Sequence, residues 1–340
     1  MLSTFLVISL ALGLFVGSLV LWGVFLGVGL RWVKVQDVST RRIVFVVLLV
    51  IVLQWTLVAV LYLVWPAGRA PALALAVVEP VLAVLIPCLV IMRVFKSSFL
   101  RSLQATVPPH LTSVGMVVFI LVVLRPFLFE AFVASGNSMA PTLLGSHWQS
   151  TCSECGSPAY CSPIPESLAS SRDAPLMICQ DHFHITQPTD HGDRVHGPDR
   201  FLVAKFVRPQ RWDIVAFRYP EDPSIRFVSC LVGLPGEEIT IKDGRVRANG
   251  KPLTPPDSLR GIEYTTEIDH WSRLWGTPDR PAKLASDEYF VLGDLSPQSK
   301  DSRMWEDVPP GHHPFAVPET HMIGVATNIY WPPSRWRAFR

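Results

Sequence analysis

The stretch "RFVSCLVGLPGEEITIKDGRVRANGKPL", Arg226 to Leu253, decides the fold class. Its apolar runs are short and rich in β-branched residues. "EITI" and "RVR" flank Lys242-Asp243-Gly244, and Asn249-Gly250 follows directly. Asp-Gly and Asn-Gly supply the positive φ angles that tight hairpin turns require, so the stretch predicts successive antiparallel strands. The same signature recurs outward from it, in "RFLVAKF" (200–206), "DIVAFRY" (213–219), "EYFVLGD" (288–294) and "IGVATNIYW" (323–331). Residues 132–340 therefore read as a mostly antiparallel β domain, a barrel or packed sheets.

The N-terminal third obeys different rules. Hydrophobic residues make up 49% of the chain against 17% charged, and the charge map locates the excess. Residues 1–30 and 43–65 carry no charge, 70–92 carry only Glu79, and 102–124 carry none. About 20 apolar residues suffice to cross a bilayer, so residues 1–131 predict a membrane domain of about four helices. The fourth, "LTSVGMVVFILVVL" (111–124), reaches that length only if "RPFLFEAFV" continues it. The first lacks a basic leader and reads as an anchor rather than a cleaved signal. The fold class is thus α + β, transmembrane helices followed by a β domain.

Connecting segments alternate in basic content. Arg31, Lys34, Arg41 and Arg42 lie in the first, Arg69 alone in the second, and Arg93, Lys96 and Arg101 in the third. By the positive-inside rule the β domain emerges on the outer side of a cytoplasmic membrane. Glu79, before Pro80, is costly inside a span and predicts a position against other helices or near an interface. No basic stripe marks a nucleic-acid surface, and a net charge of +2 names no partner.

Residues 146–196 differ again and read as an insertion into the β domain. Cys152-x2-Cys155 followed by Gly156, and later Cys179-x2-His182, form two knuckles separated by 23 residues. Four such ligands suit a structural zinc ion, with Cys161, His184 and His191 as alternatives. An outward location favours disulfides instead, although five outward cysteines, Cys230 included, leave one unpaired. Cys88 falls in a span and reads as core filling.

Candidate chemistry centres on "SGNSMAPTLL" (135–144). Small residues ahead of Ser138 let its hydroxyl and backbone N–H approach a carbonyl, and Pro141 stiffens the turn that follows. Together with "RWDIVAFRYPEDP", "RFVSCLVGLPGEE" and "VLGDLSPQSKDSRMW", in this order behind a membrane anchor, the segment resembles the bacterial type I signal peptidases, across residues 125–340. The resemblance implies a membrane serine endopeptidase that removes signal peptides from exported preproteins without a catalytic metal or nucleotide. It makes Ser138 the nucleophile and an oxyanion donor through its N–H. Gly136, Met139 and Pro141 fall at substrate-binding positions, and Gly136 stands where some members carry an extra hydroxyl. Ser299 matches the serine that orients the base, Asp301 and Arg303 a supporting ion pair, and Asp294 a structural carboxylate. Leu295 replaces the usual Asn.

One position departs from that pattern. The resemblance calls for a lysine base at 229, and Ser229 stands there, with Cys230 in place of the following arginine. A serine hydroxyl needs a neighbour to take its proton, which a second hydroxyl does poorly. In a strand Cys230 and Arg226 point away from the face of Ser229. Lys205 and Lys300 are the candidate substitutes. The expectation is a peptidase with little activity, or a non-catalytic relative that binds signal peptides or membrane-protein partners. Trp271, Trp275, Trp331 and Trp336 could form an apolar edge facing the bilayer, and core packing explains Trp331 equally well.

Overall fold

The computed structural model describes residues 2–64, 72–163, 176–186, 194–266, 274–306 and 311–339. His191, Trp271, Arg69 and the side chain of Glu79 lie outside the described residues. Contacts along the chain define two compact units, Phe5–Arg125 and Pro126–Arg340.

The first unit is helical: α1 Leu2–Trp32, α2 Thr40–Val64, α3 Ala72–Phe95 and α4 Phe99–Phe119. Each follows one of the charge-poor runs, and the breaks fall where charge returns. Lys34 ends the first helix in the left-handed region (φ 56°), while the Val35 and Lys34 N–H groups reach back to the Leu30 and Arg31 carbonyls. That pairing satisfies carbonyls the helix end leaves orphaned. Among the described residues, three helices are long and apolar enough to cross a membrane: Phe15–Trp32, Thr40–Val60 and Phe99–Phe127. Pro80–Phe95 forms a shorter apolar helix.

The fourth helix gains most of its length upstream of the stretch the sequence singled out. It starts at Phe99 and passes through Pro108 and Pro109, then continues as a π-helical turn at Ile120–Leu124 and a last turn at Arg125–Phe127. "RPFLFEAFV" splits: its first three residues supply that last turn, and Phe129–Val133 becomes the first strand.

The second unit opens with β1 (Phe129–Val133). The insertion supplies β2 (Trp148–Thr151), β3 (Pro158–Cys161), β4 (Met177–Cys179) and β5 (Ile185–Thr186). Then follow β6 (Arg200–Ala204), β7 (Ile214–Arg218), β8 (Arg226–Gly233), β9 (Glu238–Lys242), β10 (Arg245–Ala248) and β11 (Lys251–Pro252). The last strands are β12 (Ala282–Lys283), β13 (Glu288–Leu292), β14 (Val317–Pro318), β15 (Met322–Trp331) and β16 (Arg337–Ala338). The main sheet runs β1-β6-β15-β7-β8-β13-β14, with β16 added to β15. A second sheet runs β11-β10-β9-β12, and the insertion builds its own, β2-β3-β4-β5. Every pairing is antiparallel.

Alternation along the main sheet divides the apolar residues between two cores. Ile214, Cys230, Val232, Phe290 and Leu292 pack into the larger one, Val215, Leu231, Val291 and Trp305 into the other. The insertion leaves and rejoins the domain where His147 pairs with His196.

Both hairpin turns read from the sequence form, with Asp243 and Gly244 at φ 52° and 72°, Asn249 and Gly250 at 52° and 76°. A left-handed residue bearing a Cβ costs about 1–2 kcal/mol. Nothing crowds a Cβ at Gly250, whereas one at Gly244 would meet Glu263 Cβ at 3.2 Å. Gly250→Ala is expected to lower unfolding stability by about 1 kcal/mol and Gly244→Ala by more, measured by denaturant titration.

Candidate active site

The nucleophile segment leaves β1 and is anchored by its apolar residues. Met139, Ala140, Leu143 and Leu144 sit in the larger core, and Pro141 is buried beside them. Met139 and Pro141, placed by the resemblance at substrate-binding positions, are buried and hold the loop. Gly136 is exposed, with open space where a side chain would project. Ser138 is half-buried, and among the described residues neither its hydroxyl nor its N–H makes a hydrogen bond. Its carbonyl accepts from the Leu295 N–H at 2.9 Å. Leu295, buried at the place of the usual Asn, thus joins the two segments through its main chain.

Asn137 locks this loop to the insertion. Its amide donates to the Ser146 carbonyl at 2.8 Å and to Ser162 Oγ at 3.0 Å, and its oxygen accepts from the Gly145 N–H at 2.8 Å. Nothing in the sequence pattern flagged this residue.

The segment after β13 closes over the same point. A Cβ at Gly293 would lie 1.9 Å from Ser299 Oγ and 2.7 Å from the Ser138 carbonyl oxygen, so only glycine lets them meet. The Gly293 N–H donates to Asp301 Oδ2 at 2.9 Å. Asp301 in turn takes a two-pronged contact from Arg303, Nε–Oδ1 and Nη2–Oδ2 both at 2.8 Å, with both side chains fully buried. Arg303 also donates to the Thr265 carbonyl at 2.7 Å, to Ser296 Oγ at 2.8 Å and to the Ser296 carbonyl at 2.7 Å. The pair resemblance assigned to Asp301 and Arg303 is present, and it fixes the backbone on which Ser299 stands.

Ser229 arrives from β8. Cys230 pairs with Leu292, so Ser229 and Gly293 are the next residues in line across the two strands. The side chain of Ser229 takes the face of Val215, Leu231 and Val291, and it is 3% exposed. Ser299 Oγ, on the Gly293 side, is buried without a hydrogen-bond partner among the described residues.

Neither substitute lysine fills that place. Lys205 pairs with Glu130 at 2.7 Å and donates to the Pro126 carbonyl. Lys300 is exposed, pairs with Glu221 at 2.9 Å and lies over the Tyr219 ring. Lys242, Lys251 and Lys283 are exposed on the second sheet. Arg226 reaches Glu130 as well. Burial works to raise the Glu130 carboxyl, but Lys205 and Arg226 together hold it below the ordinary carboxylate value. Both cations are committed there, a role that a lone acid in the apolar "FLFEAFV" could have signalled.

On the opposite face of β8, burial pushes the Cys230 thiol well above its usual value, with Asp294 and Asp213 adding to the effect. Asp294 is itself buried, which raises its carboxyl to about 7 against the opposing pull of Thr142 and Arg337. They line a cavity of about 200 Å³ with Thr142 and Arg337.

In the insertion, Cys152, Cys155 and Cys179 converge with His184, their ligand atoms all within 4.8 Å of one another, a group that could hold a metal ion. The ring in that group is His184; His182, the ligand expected from sequence, stacks on it with ring centroids 5.3 Å apart and contacts Cys155. Cys161 is buried beside the group. Trp275 packs against Phe315 and under Arg280, while Trp331 and Trp336 are half exposed, so core packing does not account for Trp331.

Two measurements probe this framework. Removing one partner of a buried ion pair costs about 3–5 kcal/mol, so Asp301→Ala is expected to lose that much stability in denaturant unfolding. The folded state holds the Asp294 proton more tightly than the unfolded chain does. Its contribution is full below pH about 4 and is lost as pH rises to about 7, on the order of 4 kcal/mol. Asp294→Asn is expected to flatten the fall in stability across that window.

The comparisons follow this geometry. The family model described as "Signal peptidase, peptidase S26" matches residues 185–331, which include Ser229, Ser299, Asp301 and Arg303, while Ser138 precedes the matched stretch. A signal peptidase I of Pseudomonas fluorescens is 28% identical over 235 residues, 64% of this chain and 70% of that protein. One of Leptolyngbya laminosa is 33% identical over 154 residues, 40% of this chain and 62% of that protein. A solved signal peptidase I from Enterococcus faecalis V583 is 28% identical and covers 36% of this chain and 98% of its own, with a TM-score of 0.26, too low to add to the argument from topology. The chain carries a signal peptidase domain of the peptidase S26 family.

Proposed function

We propose that this protein engages the signal peptides of exported preproteins at the outer face of a cytoplasmic membrane and cleaves them slowly or not at all. The helical unit anchors it with four spans, and the β unit lies on the extracytoplasmic side. Ser138 occupies the nucleophile position, with an N–H available to an oxyanion, and the reaction calls on no metal or nucleotide. Any metal held by the insertion is structural in this reading.

The observation that carries the proposal is the exchange of a base for a hydroxyl at Ser229. The stranded Ser299 Oγ supports it, as do the ion pairs that occupy Lys205 and Lys300. A neutral amine can accept the proton that Ser138 must lose, whereas a serine hydroxyl is far too weak a base. Absence of a general base typically costs on the order of 10²- to 10⁴-fold in rate. Recognition of the peptide does not require that base, so binding survives.

The test is cleavage of a model preprotein by the detergent-solubilised full chain. Wild type is expected to be slow, Ser229→Lys faster by on the order of 10²- to 10⁴-fold, and Ser138→Ala inactive in both backgrounds. A wild-type rate that Ser229→Lys fails to raise, combined with loss of cleavage in Ser138→Ala, would mean that another group serves as base.

A further inference from the structure

The insertion carries donors that the peptidase chemistry leaves unused. Cys155 Sγ and Cys179 Sγ are 3.4 Å apart, and Cys152 Sγ is 3.8 Å from His184 Nδ1. A tetrahedral zinc ion with bonds of about 2.3 Å to sulfur and about 2.0 Å to nitrogen has edges of about 3.5–3.8 Å. The two spacings lie within about 0.4 Å of those edges, and all four donor atoms lie within 4.8 Å of one another.

The backbone around the thiols is shaped to the same end. The Cys152–Gly156 turn is closed by the Gly156 N–H on the Cys152 carbonyl at 2.9 Å, with Gly156 at φ 74°. The Ser157 N–H points at the Cys155 sulfur, and the Asp181 and His182 N–H groups point at the Cys179 sulfur. The second turn closes through the Cys179 N–H on the His184 carbonyl at 2.9 Å, with Phe183 at φ 56° between the two histidines. That turn carries the His184 ring to the thiols. Cys152 and Cys179 are buried, so two of the ligands lie away from water.

We propose that Cys152, Cys155, Cys179 and His184 bind one Zn²⁺ in a closed, structural site that ties the β2–β3 turn to the β4–β5 turn. Four protein donors leave no open position for water, which separates this site from catalytic zinc. A Cys155–Cys179 disulfide is the competing use of the same atoms. It would leave Cys152 buried with no partner among the thiols and His184 without a role, whereas the metal employs all four. Glu154 approaches His184 Nδ1 at 3.3 Å and competes for that nitrogen. Its side chain is 55% exposed and free to turn to solvent. His182, stacked on His184, is an outer partner.

The site is independent of the peptidase reading, and Ser138→Ala is expected to keep its metal. Full-length protein purified without chelator should contain one zinc per chain by elemental analysis. Replacement by Co²⁺ should give the visible and sulfur charge-transfer bands of a tetrahedral thiolate site. In competition with a chromophoric chelator, His184→Ala should weaken Zn²⁺ by more than the about 10- to 100-fold that loss of an outer partner brings. His182→Ala should stay within that range. Cys155→Ser changes an exposed position and should lose the charge-transfer intensity of one thiolate while the β unit remains folded by circular dichroism. Protein that takes up neither Zn²⁺ nor Co²⁺ overturns the proposal. So does a Cys155–Cys179 disulfide in protein isolated from native membranes under thiol trapping, or metal loss in His182→Ala with retention in His184→Ala.

Discussion

The Asp301–Arg303 contact is the constraint on which the candidate site rests. Both side chains are fully buried, which is tolerable only because every charge is matched by hydrogen bonds. Asp301 holds the Gly293 N–H, and Arg303 holds the Ser296 turn and the Thr265 carbonyl. With those points fixed, Ser299 can press against Gly293, and Leu295 can reach the Ser138 carbonyl. The pair contributes no chemistry to a reaction. It sets the positions of atoms that would.

Much of the β unit was legible because its signals are local. Asp243-Gly244 and Asn249-Gly250 can hardly do anything other than turn, and strand alternation then assigns faces. That is how Cys230 and Ser229 could be separated before any coordinates. The failures share a cause, which is that spacing counts residues and does not see direction. Cys179-x2-His182 has the right interval, and Phe183 in a left-handed conformation brings His184 to the thiols as well. Met139 and Pro141 flank the nucleophile in sequence, yet the turn sends them inward. The helix before β1 runs through Pro108-Pro109 and ends at Phe127, so only the first three residues of "RPFLFEAFV" continue it.

Two contacts with acidic residues account for where Lys205 and Lys300 sit. Buried Glu130 gathers Lys205 and the more exposed Arg226, and Glu221 draws Lys300 outward over Tyr219. Each cation is paired with a side chain of opposite sign. A proton acceptor needs the reverse environment, poor in anions and shielded from water.

Asn137 carries a structural implication of its own. Its single amide grips the inserted segment at two points, its first root at Ser146 and its interior at Ser162, one residue ahead of Ser138. Excising the insertion would strip that amide of two acceptors and slacken the nucleophile's own peptide. The graft and its host are therefore inseparable: any shortened version of this domain must furnish replacement acceptors before Ser138 can hold its pose.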